Sequence, residues 1–287
     1  WSSDVCSSDL AINTAIGNLM VNTGTVKLSS TAPVGPSAGS FVVASGGVLD
    51  LNGQTISNTN PIKISGSGIS SGGALINSSA TAASYAGAVT LAANASIGGT
   101  GDLTLSGVIT AGSYTLSLVN GVGLTATNTA NNIQSLTLTG SSGTITTNQS
   151  LTLNASSIDG HTLIRTYAAS KDITVSGALT STGNGTNLTL YASRNILVRN
   201  TISGATSNPL NVYLYSSVDK TSYGGVDIAS GDNITTYGGN ITIRGGADDP
   251  SSTCAATYSC NSGYAIGTNN PLGAIGISIT TATLSAA

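Results

Sequence analysis

A short triplet recurs along this chain: one aliphatic residue, one small polar residue and a second aliphatic residue, usually followed by Gly, Asn or Ser. Alternation with a period of two is typical of a β-strand with one buried face. Between residues 136 and 241 the triplets return at intervals of about 14 to 24 residues, which is the scale of one coil of a solenoid or part of one. The triplets occupy 103–105, 116–118, 136–138, 151–153, 173–175, 188–190, 212–214, 226–228, 241–243 and 277–279.

Composition excludes several other classes of protein. Gly, Ser, Thr and Asn make up about half of the 287 residues, only 7% are charged, and there is no glutamate. So few strong helix formers remain that a helical bundle is excluded. The hydrophobic share of 39% and the mean hydropathy of +0.23 argue against disorder. The sequence contains no run of 18 apolar residues, so no transmembrane segment is predicted. The net charge is −3 and there is no basic cluster, so no nucleic-acid partner is predicted.

These observations predict an all-β fold, a parallel β-helix (solenoid), in which aliphatic residues stack inward and Thr, Ser and Asn form ladders outside. The alternative is a β-sandwich array, which would also contain many short strands. Sandwiches favour hairpins with tight Asn-Gly or Asp-Gly turns. Such pairs occur at 52–53, 120–121, 159–160 and 184–185, but looser polar runs bound most of the triplets. The solenoid is therefore the favoured prediction.

The chain is predicted to contain four segments. Residues 1–10 (WSSDVCSSDL) resemble the translation of a common sequencing-library adapter and are treated as a non-native leader. Residues 11–247 form the solenoid fragment. Residues 248–272, rich in Asp, Ser, Asn, Gly and Pro, form a loop excursion, and residues 273–287 supply the final strands of the fragment.

Two parts of the sequence resemble known families of exported proteins. Residues 46–57 (GGVLDLNGQTIS) and 96–106 (SIGGTGDLTLS) resemble the β-strand repeats of autotransporter passenger domains. Residues 187–190 (NLTL) and 238–246 (GGNITIRGG) resemble filamentous-haemagglutinin-like exoproteins of two-partner secretion. The resemblance implies a fragment of a large exported protein on the surface of a Gram-negative-type bacterium, acting as the rod-like stalk of an adhesin.

The partners that this resemblance implies are glycans or proteins of a host or cell surface, and the secretion route stays open between the two families. Two other roles are kept as alternatives. The chain could be a passive structural spacer without its own ligand, or a carbohydrate-active β-helix enzyme. An enzyme would need clustered carboxylates, whereas the aspartates are scattered and His161 is the only histidine. We therefore expect no catalytic residues, no metal site and no cofactor.

Candidate site residues fall in the second half of the sequence. Cys254 and Cys260 enclose five residues and are predicted to form a local disulfide in an exported chain, with free thiols as the alternative. In the segment 211–215, alternation places Val212 and Leu214 on one face of the strand and Tyr213 and Tyr215 on the other. Tyr and Arg are enriched at binding hot spots. The candidate ligand-binding residues are therefore Tyr213, Tyr215, Arg194, Arg199 and Arg244. The alternative for the tyrosines is packing in an aromatic ladder between neighbouring coils.

Overall fold

A computed structural model of the protein describes residues 18–29, 39–218, 224–245, 277–279 and 283–285. Within these ranges the chain is built of short β-strands that pair in parallel, and the predicted parallel β-solenoid is confirmed. The sandwich alternative is excluded because its strands would pair mainly antiparallel. The single helical element among the described residues is a 3-10 turn at Ile69–Ser71.

The chain divides into two compact units, residues 1–145 and 146–287, and the boundary falls near the end of the strand β13. The strands up to that boundary are β1 (Asn18–Val21), β2 (Gly24–Lys27), β3 (Ser40–Val43), β4 (Gly47–Asp50), β5 (Thr55–Ile56), β6 (Ile62–Gly66), β7 (Leu75–Asn77), β8 (Ala83–Tyr85), β9 (Val89–Gly99), β10 (Leu103–Leu105), β11 (Ile109–Val119), β12 (Gly123–Ala126) and β13 (Asn132–Thr147).

In the first unit these strands stack in parallel columns, one strand above another from coil to coil. One column runs β1–β3–β6–β9, and another runs β5–β8–β10–β12. The long strand β9 serves two columns, because its start pairs with β6 and its end pairs with β7. Bulges and bends therefore let a single strand turn a corner of the coil without a separate loop.

The second unit repeats this arrangement with its own strands. They are β14 (Leu151–Leu153), β15 (Ser156–Thr166), β16 (Ile173–Val175), β17 (Leu179–Ser181), β18 (Thr186–Tyr191), β19 (Ile196–Val198), β20 (Ile202–Ser203), β21 (Leu210–Ser216), β22 (Val226–Ile228), β23 (Asn233–Thr235), β24 (Ile241–Gly245), β25 (Ile277–Ile279) and β26 (Thr283–Ser285).

Three columns make up the second unit: β14–β16–β19–β22–β25, then β15–β17–β20–β23–β26, and then the end of β15 with β18, β21 and β24. The core consists of the aliphatic ends of the triplets. Leu151 and Leu153 lie under Ile173 and Val175, and all four side chains are at most 1% exposed. Burial of an aliphatic side chain contributes about 1.5–3 kcal/mol, so each coil is stabilised mainly by its inward residues.

Corners of the coils use residues that tolerate a left-handed backbone. Both residues of the Asn52-Gly53 pair have positive φ, at 49° and 73°, and Asn120-Gly121 repeats this at 59° and 77°. These are the dihedrals of a tight turn, yet the strands around them pair in parallel. Asn-Gly here turns the chain from one column of the solenoid to the next.

Asn77, an inward polar side chain of the first unit, forms hydrogen bonds with three successive coils. Asn77 is fully buried, and its amide nitrogen donates to the carbonyl oxygens of Thr81 and Asp102 at 2.8 and 2.9 Å. Its amide oxygen accepts from the backbone N–H groups of Gly53 and Ser79 at 2.9 and 3.2 Å. All four hydrogen-bonding positions of the amide are therefore satisfied inside the protein.

Candidate ligand-binding face

A column of aromatic and basic residues crosses one sheet of the second unit. Strand register places Arg165 beside Tyr191, Tyr191 beside Tyr215, and Tyr215 beside Arg244. Each of these residues follows an inward aliphatic residue of its strand, so alternation directs all four side chains outward. With Tyr213 they form a surface that we call the Tyr–Arg face.

The two central rings of this column stack on each other. The ring centroids of Tyr191 and Tyr215 are 4.7 Å apart and the ring planes are inclined by 14°. This separation matches the spacing between neighbouring strands, about 4.8 Å, so the stack follows directly from the coil repeat. Each ring therefore covers one face of the other, and Tyr215 belongs to an aromatic ladder between coils.

Tyr213 occupies the next outward position on β21. The register places it between Thr189 and Thr242 of the two neighbouring strands. Val212 and Leu214, which flank it in sequence, are both completely buried, whereas Tyr213 itself is partly exposed. The alternation predicted for this segment is thus observed, and Tyr213 has short polar neighbours in place of another ring.

Arg165 lies at one end of the column and is exposed. Its guanidinium carbon is 5.8 Å from the ring centroid of Tyr167, the residue directly after β15, which is a cation–π contact. Among the described residues, no carboxylate forms an ion pair with Arg165. Arg244, at the other end of the column, is also exposed.

An asparagine ladder borders the face. Asn211 donates from its side-chain nitrogen to the side-chain oxygen of Asn187 at 2.8 Å, and its own side-chain oxygen accepts from the backbone N–H of Asn240 at 2.8 Å. These hydrogen bonds fix the spacing of β18, β21 and β24 at the start of each strand. The face is consequently held on a rigid scaffold, which suits a recognition surface.

The other two candidate arginines lie away from this column. Arg194 binds Asp172 through two hydrogen bonds, and Arg199 binds Asp227 with a nitrogen–oxygen distance of 2.5 Å. Partial burial would by itself raise the pKa of Asp172, but the hydrogen bonds and charge of Arg194 and the N–H of Asn195 hold that pKa below its usual value. The structure therefore brings Tyr213, Tyr215 and Arg244 together and places Arg194 and Arg199 in ion pairs.

Sequence reasoning missed one member of the face, Tyr191. A usable signal was present, because Tyr191 follows the second aliphatic residue of the triplet 188–190, as Tyr215 and Arg244 follow theirs. Cys254 and Cys260 lie outside the described residues, as do the leader 1–10, the excursion 248–272 and most of 273–287. The predicted disulfide and these segment boundaries stay predictions.

Within the described residues, no group of three or more His, Cys, Asp or Glu side chains lies together in a way that could hold a metal ion. In the same ranges, no helix is both long enough and apolar enough to cross a membrane. Comparison of the chain with protein-family models, with curated proteins and with solved structures finds no match.

Proposed function

We propose that this chain is a stalk segment of an adhesin, part of a large exported protein on a bacterial surface, and that the Tyr–Arg face is its adhesive surface. The parallel β-solenoid is a fold suited to a stalk, because coils add along one direction and each contacts only its neighbours. The resemblance of residues 46–57 and 238–246 to exported β-repeat proteins supports the same proposal.

The observation that carries the adhesive role is the concentration of Tyr and Arg on one sheet of a chain with very few charges. Only 4% of the residues are aromatic and 7% are charged, yet the register lines up two arginines and three tyrosines within four neighbouring strands. Rigid scaffolds that present exposed Tyr and Arg are typical of recognition surfaces. This concentration supports an adhesive role over that of a passive spacer.

Adhesion can be measured with the whole 287-residue protein coupled to beads. We expect the beads to be retained by a panel of cell surfaces or immobilised glycans, and we expect Tyr213→Ala with Arg165→Gln to reduce that retention at least fivefold. A matched variant on the first unit, Lys63→Gln with Thr104→Ala, changes two outward residues elsewhere and should retain full adhesion. Beads that bind nothing on the panel would favour the passive spacer.

Export is tested separately. An antibody against the chain should label intact cells of the source organism as strongly as it labels permeabilised cells. Labelling that requires permeabilisation would contradict the proposed surface location, whatever the bead assay gives.

A further inference from the structure

We propose that the turn at Asn184-Gly185 is a site of spontaneous modification, at which the asparagine side chain loses ammonia and becomes aspartate or isoaspartate. The site lies outside the Tyr–Arg face, and the proposal does not depend on the adhesive function. An Asn-Gly pair suits this reaction because glycine has no Cβ atom to hinder attack by its backbone nitrogen on the preceding side chain. The chain contains three such pairs, at 52–53, 120–121 and 184–185, and their surroundings differ.

The reaction has two steps and needs no reactant other than water. In the first, the backbone nitrogen of Gly185 attacks the side-chain carbon Cγ of Asn184, the Cγ–Nδ2 bond breaks, and the nitrogen leaves as ammonia with the amide proton of Gly185. The product is a succinimide ring. In the second, water opens the ring at one of its two carbonyl carbons, which gives either aspartate or isoaspartate, in which the main chain runs through Cβ. Because no enzyme is required, the modified fraction rises with the age of the protein.

Asn184 and Gly185 form a turn with few constraints. Both residues are exposed. In the part of the chain that the structure describes, neither the side chain of Asn184 nor the N–H of Gly185 forms a hydrogen bond. Nothing lies within 4 Å of the ideal Cβ position of Gly185, whose φ is +66°. The turn is therefore free to change the dihedral angles that bring the backbone nitrogen to Cγ.

The two ends of this turn are fixed, so a change at its tip leaves the coil intact. The hydroxyls of Ser181 and Thr186, one on each side of the turn, hydrogen-bond to each other at 2.5 Å, and both residues are buried. The Ser181 hydroxyl also donates to the carbonyl oxygen of Gly183 at 2.9 Å. We therefore expect the modified protein to stay folded, with one negative charge added to its net charge of −3.

The Asn52-Gly53 pair is the matched contrast, because three hydrogen bonds hold it. The N–H of Gly53, which would be the attacking group, donates to the side-chain oxygen of Asn77 at 2.9 Å. The side-chain nitrogen of Asn52, which would leave, donates to the carbonyl oxygen of Leu28 at 2.9 Å. The backbone N–H of Asn52 donates to a carboxylate oxygen of Asp50, also at 2.9 Å. Ring closure at this pair would break the first two hydrogen bonds, so the reaction should be much slower here.

The third pair, Asn120-Gly121, is exposed but partly restrained. The side-chain nitrogen of Asn120 donates to the carbonyl oxygen of Gly72 at 3.5 Å, which is a long hydrogen bond. This contact holds the leaving group and not the attacking nitrogen. We therefore expect this pair to react at a rate between those of the other two.

The test incubates the whole protein at mildly alkaline pH and follows all three pairs in one sample. Trypsin releases Asn184 in the peptide 172–194 and Asn52 in the peptide 28–63. Fragmentation in the mass spectrometer then assigns the gain of one mass unit to a residue, and an isoaspartate methyltransferase counts the isoaspartate formed. We expect Asn184 to react at least fivefold faster than Asn52 and to give both products. In denaturant the rates of the two pairs should converge, because the fold alone distinguishes them.

Gly185→Ala is the variant that tests the route, because its Cβ atom hinders attack by the backbone nitrogen without meeting any neighbour. It should slow the reaction at Asn184 at least fivefold. The proposal is overturned by equal rates at Asn184 and Asn52 in the folded protein, by aspartate without isoaspartate, or by a rate ratio that persists in denaturant. An unchanged rate in Gly185→Ala, with an unchanged circular dichroism spectrum, would also overturn it. If that variant does not fold, the comparison of Asn184 with Asn52 in the unaltered protein decides.

Discussion

Arg194 binds the carboxylate of Asp172, 22 residues earlier in the chain, through hydrogen bonds from Nε at 2.8 Å and from Nη2 at 2.5 Å. The backbone N–H of Asn195 donates to the same carboxylate at 3.0 Å. Asp172 precedes the first residue of β16, and Asn195 precedes the first residue of β19, so this carboxylate joins equivalent positions of two successive coils. An ion pair of this kind sets the register of a parallel pair as well as stabilising it.

The pairing of Asp172 predicts an acid-sensitive contribution to stability. Because the pKa of Asp172 is lowered in the folded protein, the unfolded chain binds a proton more readily as pH falls. The stabilisation is complete above the pKa of the unfolded chain and is lost below about pH 4, as pH falls through the folded value. Asp172→Asn should reduce the free energy of unfolding at pH 7 by about 1 kcal/mol. Denaturant unfolding between pH 7 and pH 3 measures both effects.

The control for that experiment is the second ion pair. The two arginines are similarly exposed, at 42% for Arg194 and 37% for Arg199, but the side chain of Asp227 is 36% exposed and that of Asp172 only 16%. Water screens the more exposed carboxylate, so Asp227→Asn should change stability by less than about 0.5 kcal/mol. If both variants lose the same stability, burial does not determine the strength of these pairs.

Asn77 is predicted to be the most sensitive polar residue of the first unit. Replacing it with Ala removes a fully buried side chain and breaks its four hydrogen bonds to the backbone of neighbouring coils. We expect Asn77→Ala to lower the free energy of unfolding by about 3 kcal/mol. Asn184, an exposed asparagine, provides the matched control, and Asn184→Ala should stay within about 0.5 kcal/mol. Chemical denaturation monitored by circular dichroism distinguishes the two, and similar losses in both would contradict the role assigned to Asn77.

Gly99 is predicted to admit no side chain. Its φ of +119° is unfavourable for other residues, and a Cβ atom built there would lie 2.2 Å from the carbonyl oxygen of Asn77. Gly99→Ala should therefore cost more than about 2 kcal/mol. Gly112 also has a positive φ, of +59°, but nothing lies within 4 Å of its ideal Cβ position. Gly112→Ala should cost only about 1 kcal/mol, and thermal unfolding of the two variants separates backbone strain from the steric clash.

The disulfide between Cys254 and Cys260 is tested by mass spectrometry. Peptide mapping without reduction should recover the two cysteines in one cross-linked peptide, and reduction should add two hydrogen masses to it. Closure of so short a loop stabilises the folded chain by roughly 2.4 kcal/mol at most. Full alkylation of both residues without prior reduction would instead establish the free-thiol alternative.

The triplets predict strand positions well because their period follows directly from the geometry of a strand. Residues 103–105, 151–153 and 173–175 are strands with both aliphatic ends buried, as their alternation indicates. The long strands β9, β11, β13 and β15 were not predictable in the same way. In β9, β11 and β13 the strand continues through a corner, where bulges and glycine dihedrals replace the loop that a polar run would indicate. Strand β15 also continues from one column to another, pairing first with β17 and then with β18.

The candidate site was predictable in part. Alternation within one strand is local, so the outward direction of Tyr213 and Tyr215 could be read from five residues. Which residues lie beside them depends on coil length, and coils in this part of the chain differ in length. Tyr191 lies 24 residues before Tyr215, whereas Arg244 lies 29 residues after it. A repeat of fixed length therefore cannot predict which residues of successive coils lie beside each other in the column. The ion pairs of Arg194 and Arg199 could not be predicted from the sequence for the same reason.

The stacking of successive coils has a consequence for how the chain acquires its structure during synthesis. Most hydrogen-bonded partners in the described columns are separated by one coil of sequence, such as Ser150 and Asp172 at 22 residues. When a strand emerges from the ribosome, the strand of the preceding coil, with which it pairs, has therefore already been synthesised. Folding can advance coil by coil from the N-terminal side, with loop closure costing about the same entropy at each step. The order of translation is then also the order of assembly.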